Sequence, residues 1–507
     1  MNSSQRRIFG ALAAVAVVLG AWALWSRGWR PSTEVGRANE IVIAVEATPL
    51  TTDPIAMVET ASAALGQALH SPLWRVRGDG TLDYILAESL TMAEDGLSAT
   101  IKLRQDAGFA DGSPITAVDV ASSLQRFKDS PNPLATVMER IFKIEATDNL
   151  TVVVNLREPD SEFVKAVGHL SASIVSQRSV GQPQQPLDRQ IVGAGPWVLD
   201  SFEAGVRYEL RRNNRFPHPQ SCERIVFVVR TDGQAALRDF RAGKIQIIRL
   251  RGPQLGEVSD FATGATVLRP EYQKASLKTA PASQLDTLIV NWAAPAFSGI
   301  TPAEKRGFLS FVRSALDAGT IVRSGETRET GTFPPTVTLS GKIEAENNPV
   351  WKPSREIELL APTETASRNL AGSVRDAISA QGAPVVLRTL DVAQLIPTIL
   401  KRDFTVALVG FEMPVPGIVA WRLFWTPGPF SAFGEPLTDY PLYEARCRAG
   451  APNERAAALV ELLRWHAQTQ SVWIPVVSRP TTLLCAPGAE GFPIDGAGSP
   501  IWDFSRQ

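Results

Sequence analysis

The stretch from Glu88 to Phe127, ESLTMAEDGLSATIKLRQDAGFADGSPITAVDVASSLQRF, admits few local structures. Leu90 and Met92 alternate with polar residues, and Glu94-Asp95-Gly96 makes a turn. Ala99, Ile101 and Leu103 then alternate with Ser98, Thr100, Lys102 and Arg104. A period of two marks a half-buried strand, so the segment reads as an antiparallel hairpin. Asp111-Gly112 signals a second turn. Thr116 can cap a helix, with Asp119 three residues on as the acid of a capping box. Val120, Leu124 and Phe127 fall on one face of that helix.

At 507 residues the chain exceeds one ordinary core, which predicts two or three domains. Lys and Arg total 51 against 52 Asp and Glu, so the basic excess of a nucleic-acid binder is missing. The cysteines, Cys222, Cys447 and Cys485, form no CxxC pair, which removes zinc-ribbon and thioredoxin-like readings. Cys447 and Cys485 could form one disulfide in an oxidising compartment, and separate thiols fit the sequence equally well. His70, His169, His218 and His466 are too scattered for a local metal site. No GxSxG, HExxH or GxxxxGK[ST] motif occurs. Neither a catalytic centre nor a metal nor a cofactor is therefore expected.

Ile8 to Trp25 is an uncharged apolar run preceded by Arg6-Arg7. It reads as a signal peptide ending near Ala21-Trp22-Ala23 or as a transmembrane anchor, and both export the rest of the chain. Further on, 159–170 reads as a helix, and 285–292 (LDTLIVNW) as a strand. Thr301-Pro302-x-Glu304 opens a capped helix. Residues 356–360, 365–381 and 384–390 make a strand–helix–strand unit. Strands follow at 404–410 and 473–477, separated by a helix over 453–468.

LAES (86–89), EDGLSATIKLR (94–104), FADGSPITAVDV (109–120) and GAGPWVL (193–199) together resemble the signature region of the family 5 extracellular solute-binding proteins. These are the peptide- and nickel-type binding subunits of ABC importers. The resemblance covers roughly residues 40–495. It implies an α/β, two-lobed periplasmic-binding-protein-like fold with an additional subdomain and a ligand cleft between the lobes. The domains it implies are a signal peptide or anchor (1–30), a linker (31–39), a first lobe (40–70, 193–280 and 480–507), a subdomain (71–192) and a second lobe (281–479). It also implies a monomeric, periplasmic or extracytoplasmic binding subunit. That subunit would capture a peptide or other small solute and deliver it to permease subunits, with membrane contact through the N-terminal helix. A membrane-tethered ligand-sensing receptor on the same fold is the alternative.

The resemblance places ligand contacts at Thr48, Asn291, Trp292, Phe411 and Glu412. Peptide-binding members hold the peptide amine with a carboxylate in a G-W-x-A-D-Y-x-D-P loop. The matching stretch here, Gly410 to Pro416, lacks those aspartates and keeps only Glu412, at a different position. A buried ammonium without a paired charge costs several kcal/mol, so a free peptide N-terminus is a poor fit to this loop.

Overall fold

The computed structural model describes residues 39–507 except 58–59, 78–80, 133–134, 136–137, 161–162, 181–190, 251, 263–264, 323–326, 329–354, 364, 413–439, 449–451, 470–472, 493–501 and 505–507. The apolar run at 8–25 lies outside the described residues. Among the described residues no helix is long and apolar enough to cross a membrane.

The chain enters through β1 (Glu40–Val45) and α1 (Thr60–Leu69). It then builds a separate antiparallel sheet from β2 (Ala87–Met92), β3 (Ser98–Leu103), β4 (Ile141–Asp148) and β5 (Thr151–Leu156), in the order β2-β3-β5-β4. The hairpin expected from the alternation is β2–β3, with Gly96 at φ 69° in its turn. Asp111 accepts from the Ser113 amide at 2.9 Å, and Gly112 sits at φ 87°. The helix that follows is α2 (Ala117–Lys128), with the Thr116–Asp119 capping box formed. Val120, Leu124 and Phe127 pack on Ile101, Val152 and Val154 of this sheet in one core.

The helix expected over 159–170 is shorter: α3 covers Phe163–Val167, and a 3-10 turn follows at Leu170–Ala172. The Trp74 ring packs against its end. Trp74 Nε1 donates to the Val164 carbonyl at 2.8 Å, and a Cβ on Gly168 would come within 3.1 Å of the same ring. The His169 side chain then caps the new turn by accepting from the Ser171 amide.

Among the described residues the main sheet has eleven strands. β6 (Trp197–Glu203), β7 (Arg207–Arg212), β8 (Arg224–Val229), β9 (Ile247–Leu250) and β1 form one half. β10 (Ser276–Val290) leads across to the other half and to α4 (Pro302–Ala318), whose Thr301–Glu304 capping box is present. The short β11 (Thr327–Arg328) comes next. β12 (Ile357–Pro362), α5 (Thr365–Ala380) and β13 (Val385–Leu390) then give the expected strand–helix–strand unit, with the two strands parallel. β14 (Val406–Glu412), α6 (Tyr440–Arg448) and α7 (Pro452–Thr469) lead into the returning strand β15 (Trp473–Cys485). The order is β13-β12-β14-β10-β15-β9-β1-β8-β7-β6, with β11 pairing β15 off this path. Each half keeps its own core, one around Ile43, Trp197, Phe227 and Phe504, the other around Leu288, Phe308, Val374 and Ile474.

No disulfide joins Cys447 to Cys485. Cys485 ends β15 opposite Ile247 and Ser276 and belongs with Cys222 to the core around Trp197, whereas Cys447 lies in α6. Burial pushes the Cys222 and Cys485 thiols up to about 12, so both are inert at neutral pH.

The GAG segment at 193–195 shows why its glycines are needed. A Cβ on Gly193 would lie 2.2 Å from the Leu69 carbonyl oxygen and 2.4 Å from His70 Nδ1. One on Gly195 would lie 2.4 Å from the Leu69 carbonyl carbon. His70 is fully buried, with Nε2 2.7 Å from the Thr52 carbonyl oxygen. Burial lowers its pKa from 6.5 to about 4, so the ring is neutral at pH 7. Next to it, buried Asp53 pairs with Arg126 of α2. The loop after β1, the end of α1 and the helix of the smaller sheet are thus tied together. Gly195→Ala is expected to destabilise the protein by about 2–3 kcal/mol, because backbone must move. Gly256→Ala, at a helical position with open space, is expected to be neutral or slightly stabilising. Denaturant midpoints of the two variants check this contrast.

Candidate functional site

Strand direction locates the site. β9 runs antiparallel to β15, with Ile247 opposite Cys485 and Leu250 opposite Thr482. Its carboxyl end therefore points toward the middle of β15, and so does that of β1, which pairs parallel to it through Ile43 and Ile247. In the other half β14 runs antiparallel to β10, with Val406 opposite Val290 and Glu412 opposite Gln284. β12 lies parallel to β14. The carboxyl ends of the parallel strands in both halves thus converge on one place, 279–286 of β10 and 479–482 of β15. In open α/β sheets ligands sit beyond such ends.

The convergence point is polar although it lies within the sheet. Asp286, Thr287, Ser478, Arg479, Thr481 and Thr482 are all buried. Arg479 donates from Nη2 to Asp286 Oδ2. Arg249, near the carboxyl end of β9, donates to Thr481 Oγ1 at 3.3 Å. Arg328 of β11 donates to the Pro475 and Val476 carbonyls at 2.8 and 3.0 Å and pairs with Asp317 of α4 at 2.9 Å. Taking charges out of water is costly, and an interior charge whose partner is removed costs about 3–5 kcal/mol. The Asp286–Arg479 pair therefore fixes the two long strands to each other where they change lobes. Sequence reading missed both residues. The signal was a single charge inside each apolar strand, in LDTLIV and in VVSRPTTLL.

The residues singled out in the sequence divide into two groups. Phe411 and Glu412 end β14 opposite Leu285 and Gln284, at the convergence point. Their side chains, and the following residues 413–416, lie outside the described residues. Thr48 is half-buried, just past the carboxyl end of β1, and faces the Gly205 turn between β6 and β7. Asn291 and Trp292 lie at the far end of β10. Asn291 is buried and donates from Nδ2 to the Arg402 carbonyl at 2.9 Å and the Phe404 carbonyl at 2.8 Å. It holds a turn in which Arg402 has φ 60°. Trp292 packs edge-on against Phe297 and Phe308, with Lys305 Nζ 5.8 Å from its ring centre. Both side chains are thus engaged in the framework of the second half. Among the described residues no group of three or more His, Cys, Asp or Glu could hold a metal ion.

Residues 81–316 match the sequence model of the bacterial extracellular solute-binding proteins, family 5, middle region. The resemblance carried by LAES, EDGLSATIKLR and FADGSPITAVDV is thereby shown for the middle of the chain. A glutathione-binding protein GsiB of Escherichia coli O1:K1 is 32% identical over 167 residues, which is 32% of this chain and 33% of that protein. The match thus spans about a third of the length of the curated relative. The fold is similar to that of a dipeptide-binding protein from Pseudoalteromonas sp. SM9913 in complex with Met-Leu, at a TM-score of 0.76, 15% identity and coverage of 92% and 99% of the two chains. It is also similar to OppA of Haemophilus influenzae in complex with RPPGFSPFR, at a TM-score of 0.73, 17% identity and coverage of 93% and 98%. The fold is the two-lobed, α/β periplasmic-binding-protein type.

Replacing Asn291 by Ala leaves two buried carbonyls without their donor, and is expected to cost about 1–3 kcal/mol of stability. Affinity for any solute held at the convergence point is expected to stay within about twofold, because the amide supports a turn away from that point. Unfolding and titration of the same variant check both halves of the statement.

Proposed function

We propose that this chain is the substrate-binding subunit of an ABC-type importer. It captures a small peptide-like solute where the two lobes meet and delivers it to membrane permease subunits. The observation that carries this reading is the convergence of strand ends from both lobes on the buried Asp286–Arg479 pair. A site shared by two lobes binds by closing, and the two strands that cross there are the natural pivot. The relatives' names point the same way: glutathione, Met-Leu and a longer peptide are all peptide-like. Phe411 and Glu412, which end β14 at this place, and Thr48, just past the carboxyl end of β1, are the proposed contacts. The chain acts by binding, without catalysis of its own. It works outside the cytoplasm, with residues 1–30 as the export segment.

The test is thermal unfolding of the purified protein with glutathione, dipeptides and longer peptides, alongside opines, sugars and metal chelates. A solute at about a hundred times its Kd stabilises the native state by about 2.7 kcal/mol, enough to raise the Tm measurably. At least one peptide-like compound is expected to do so, with the rise reduced in Glu412→Ala. No rise from any peptide-like compound contradicts the proposal.

A further inference from the structure

His70 follows α1, and its ring lies between the loop that leaves β1 and the glycine segment 193–195. The side chain is 0% exposed. Nε2 contacts a carbonyl oxygen, that of Thr52, so Nε2 carries the proton of the neutral ring and donates it. Nδ1 is then the bare nitrogen. It is buried without a hydrogen-bond partner among the described residues, and the backbone of Gly193 closes that edge of the ring. Two charged groups face the ring, Asp53 from the loop and Arg126 from α2. Residues 193–195, Gly-Ala-Gly, bring no titratable group. The 3-10 turn at Leu170–Ala172, which touches α1, brings His169, whose Nδ1 already accepts from the Ser171 amide.

Both oxygens of Asp53 are already taken. Oδ1 accepts from Arg126 Nη1 at 2.9 Å and from the Ile55 amide at 3.2 Å, and Oδ2 accepts from Arg126 Nη2. Protonating Nδ1 in place would therefore bury an imidazolium beside Arg126, with no acceptor for its new N–H. Burial accordingly holds the ring at about 4, below the ordinary 6.5, although the Thr52 carbonyl and Asp53 pull the other way. A group harder to protonate in the folded state contributes stability that is full above pH 6.5 and is lost as pH falls toward 4. What this ring holds is the loop. The Leu50 and Thr51 amides donate to Ser62 Oγ at 2.8 and 3.3 Å, and the Asp53 amide donates to Thr51 Oγ1 at 3.0 Å. The His70–Thr52 and Asp53–Arg126 contacts tie this run to the end of α1 and to α2. Thr48, a proposed solute contact, lies on the same loop.

We propose that His70 is an acid sensor: protonation of its ring releases the loop that leaves β1 and so displaces Thr48. Only the consequence at Thr48 rests on the binding function proposed above. A ring that ionises at 6.5 when released and at about 4 in place changes the released-to-held ratio about fiftyfold between pH 7 and pH 4.5. Hydrogen–deuterium exchange of the solute-free full chain reads this ratio, once rates are corrected for the pH dependence of chemical exchange itself. Protection over 50–56 is expected to fall about fiftyfold between these pH values, and that of α4 far less. His70→Gln keeps a donor for the Thr52 carbonyl and cannot titrate, so most of the loop's pH dependence is expected to disappear in it. In wild-type protein carrying carbon-13 at histidine Cε1, the His70 signal is expected to titrate well below 6.5, in step with the loss of loop protection. Replacing the other three histidines one at a time assigns that signal, so the test stands even if His70→Gln does not fold. A His70 midpoint near 6.5 overturns the proposal. So does a loop whose protection falls no more than that of α4, or a pH dependence that persists in His70→Gln. None of these measurements uses a solute, so they leave the binding reading to the unfolding panel.

Discussion

Everything in this fold depends on the pairing of two long antiparallel strands, Ser276–Val290 and Trp473–Cys485. The strands at Ile247–Leu250 and Glu40–Val45 attach through one end of this ribbon, and those at Val406–Glu412 and Ile357–Pro362 through the other. Main-chain hydrogen bonds cannot be given up without a large desolvation cost, so the ribbon stays intact while its ends carry separate cores. Its register shifts fall between Thr279 and Ala282, between Ala282 and Gln284, and between Asp286 and Thr287. A ribbon that is irregular at its middle and regular at its ends can bend there without losing its ladder. The buried Asp286–Arg479 pair pins the two strands in register at that bend.

That arrangement explains why local patterns read correctly in some places and poorly in others. The Thr116–Asp119 box, the Gly96 turn and the Thr301–Glu304 box are all legible, because each is decided within a few residues of sequence. The long strands are not. Pro281 and Pro480 look like strand breakers, and the strands expected at 285–292 and 473–477 stop short of them. In the structure Pro475 faces Thr287 and Pro480 faces Ala282, so both lie where the register already shifts. Proline is tolerated there because no regular ladder bond is lost.

Side-chain roles show the same division. Asn291, at a strand end, looked like a ligand contact, but its partners are the carbonyls of Arg402 and Phe404, more than a hundred positions away. Asp53, in the loop after the first strand, is buried against Arg126 in the helix of the hairpin stretch Glu88–Phe127. That stretch thus does more than build the smaller sheet: its helix anchors the loop that leaves the first strand. Phe411 and Glu412 were singled out because their loop lacks the expected aspartates, and strand register sets them at the convergence point. Chemistry that depends on distant partners leaves only an oddity in the sequence, such as one charge in an apolar run.

The central claim is that solute is held where the strand ends of both lobes converge. Hydrogen–deuterium exchange tests it most directly, using whichever solute raises the melting temperature. Added solute is expected to slow exchange at 279–286, 410–412 and 479–482, with little change along the outer strands Trp197–Glu203 and Val385–Leu390. Protection confined to those outer strands or to the smaller sheet, with none at the crossing, would contradict it.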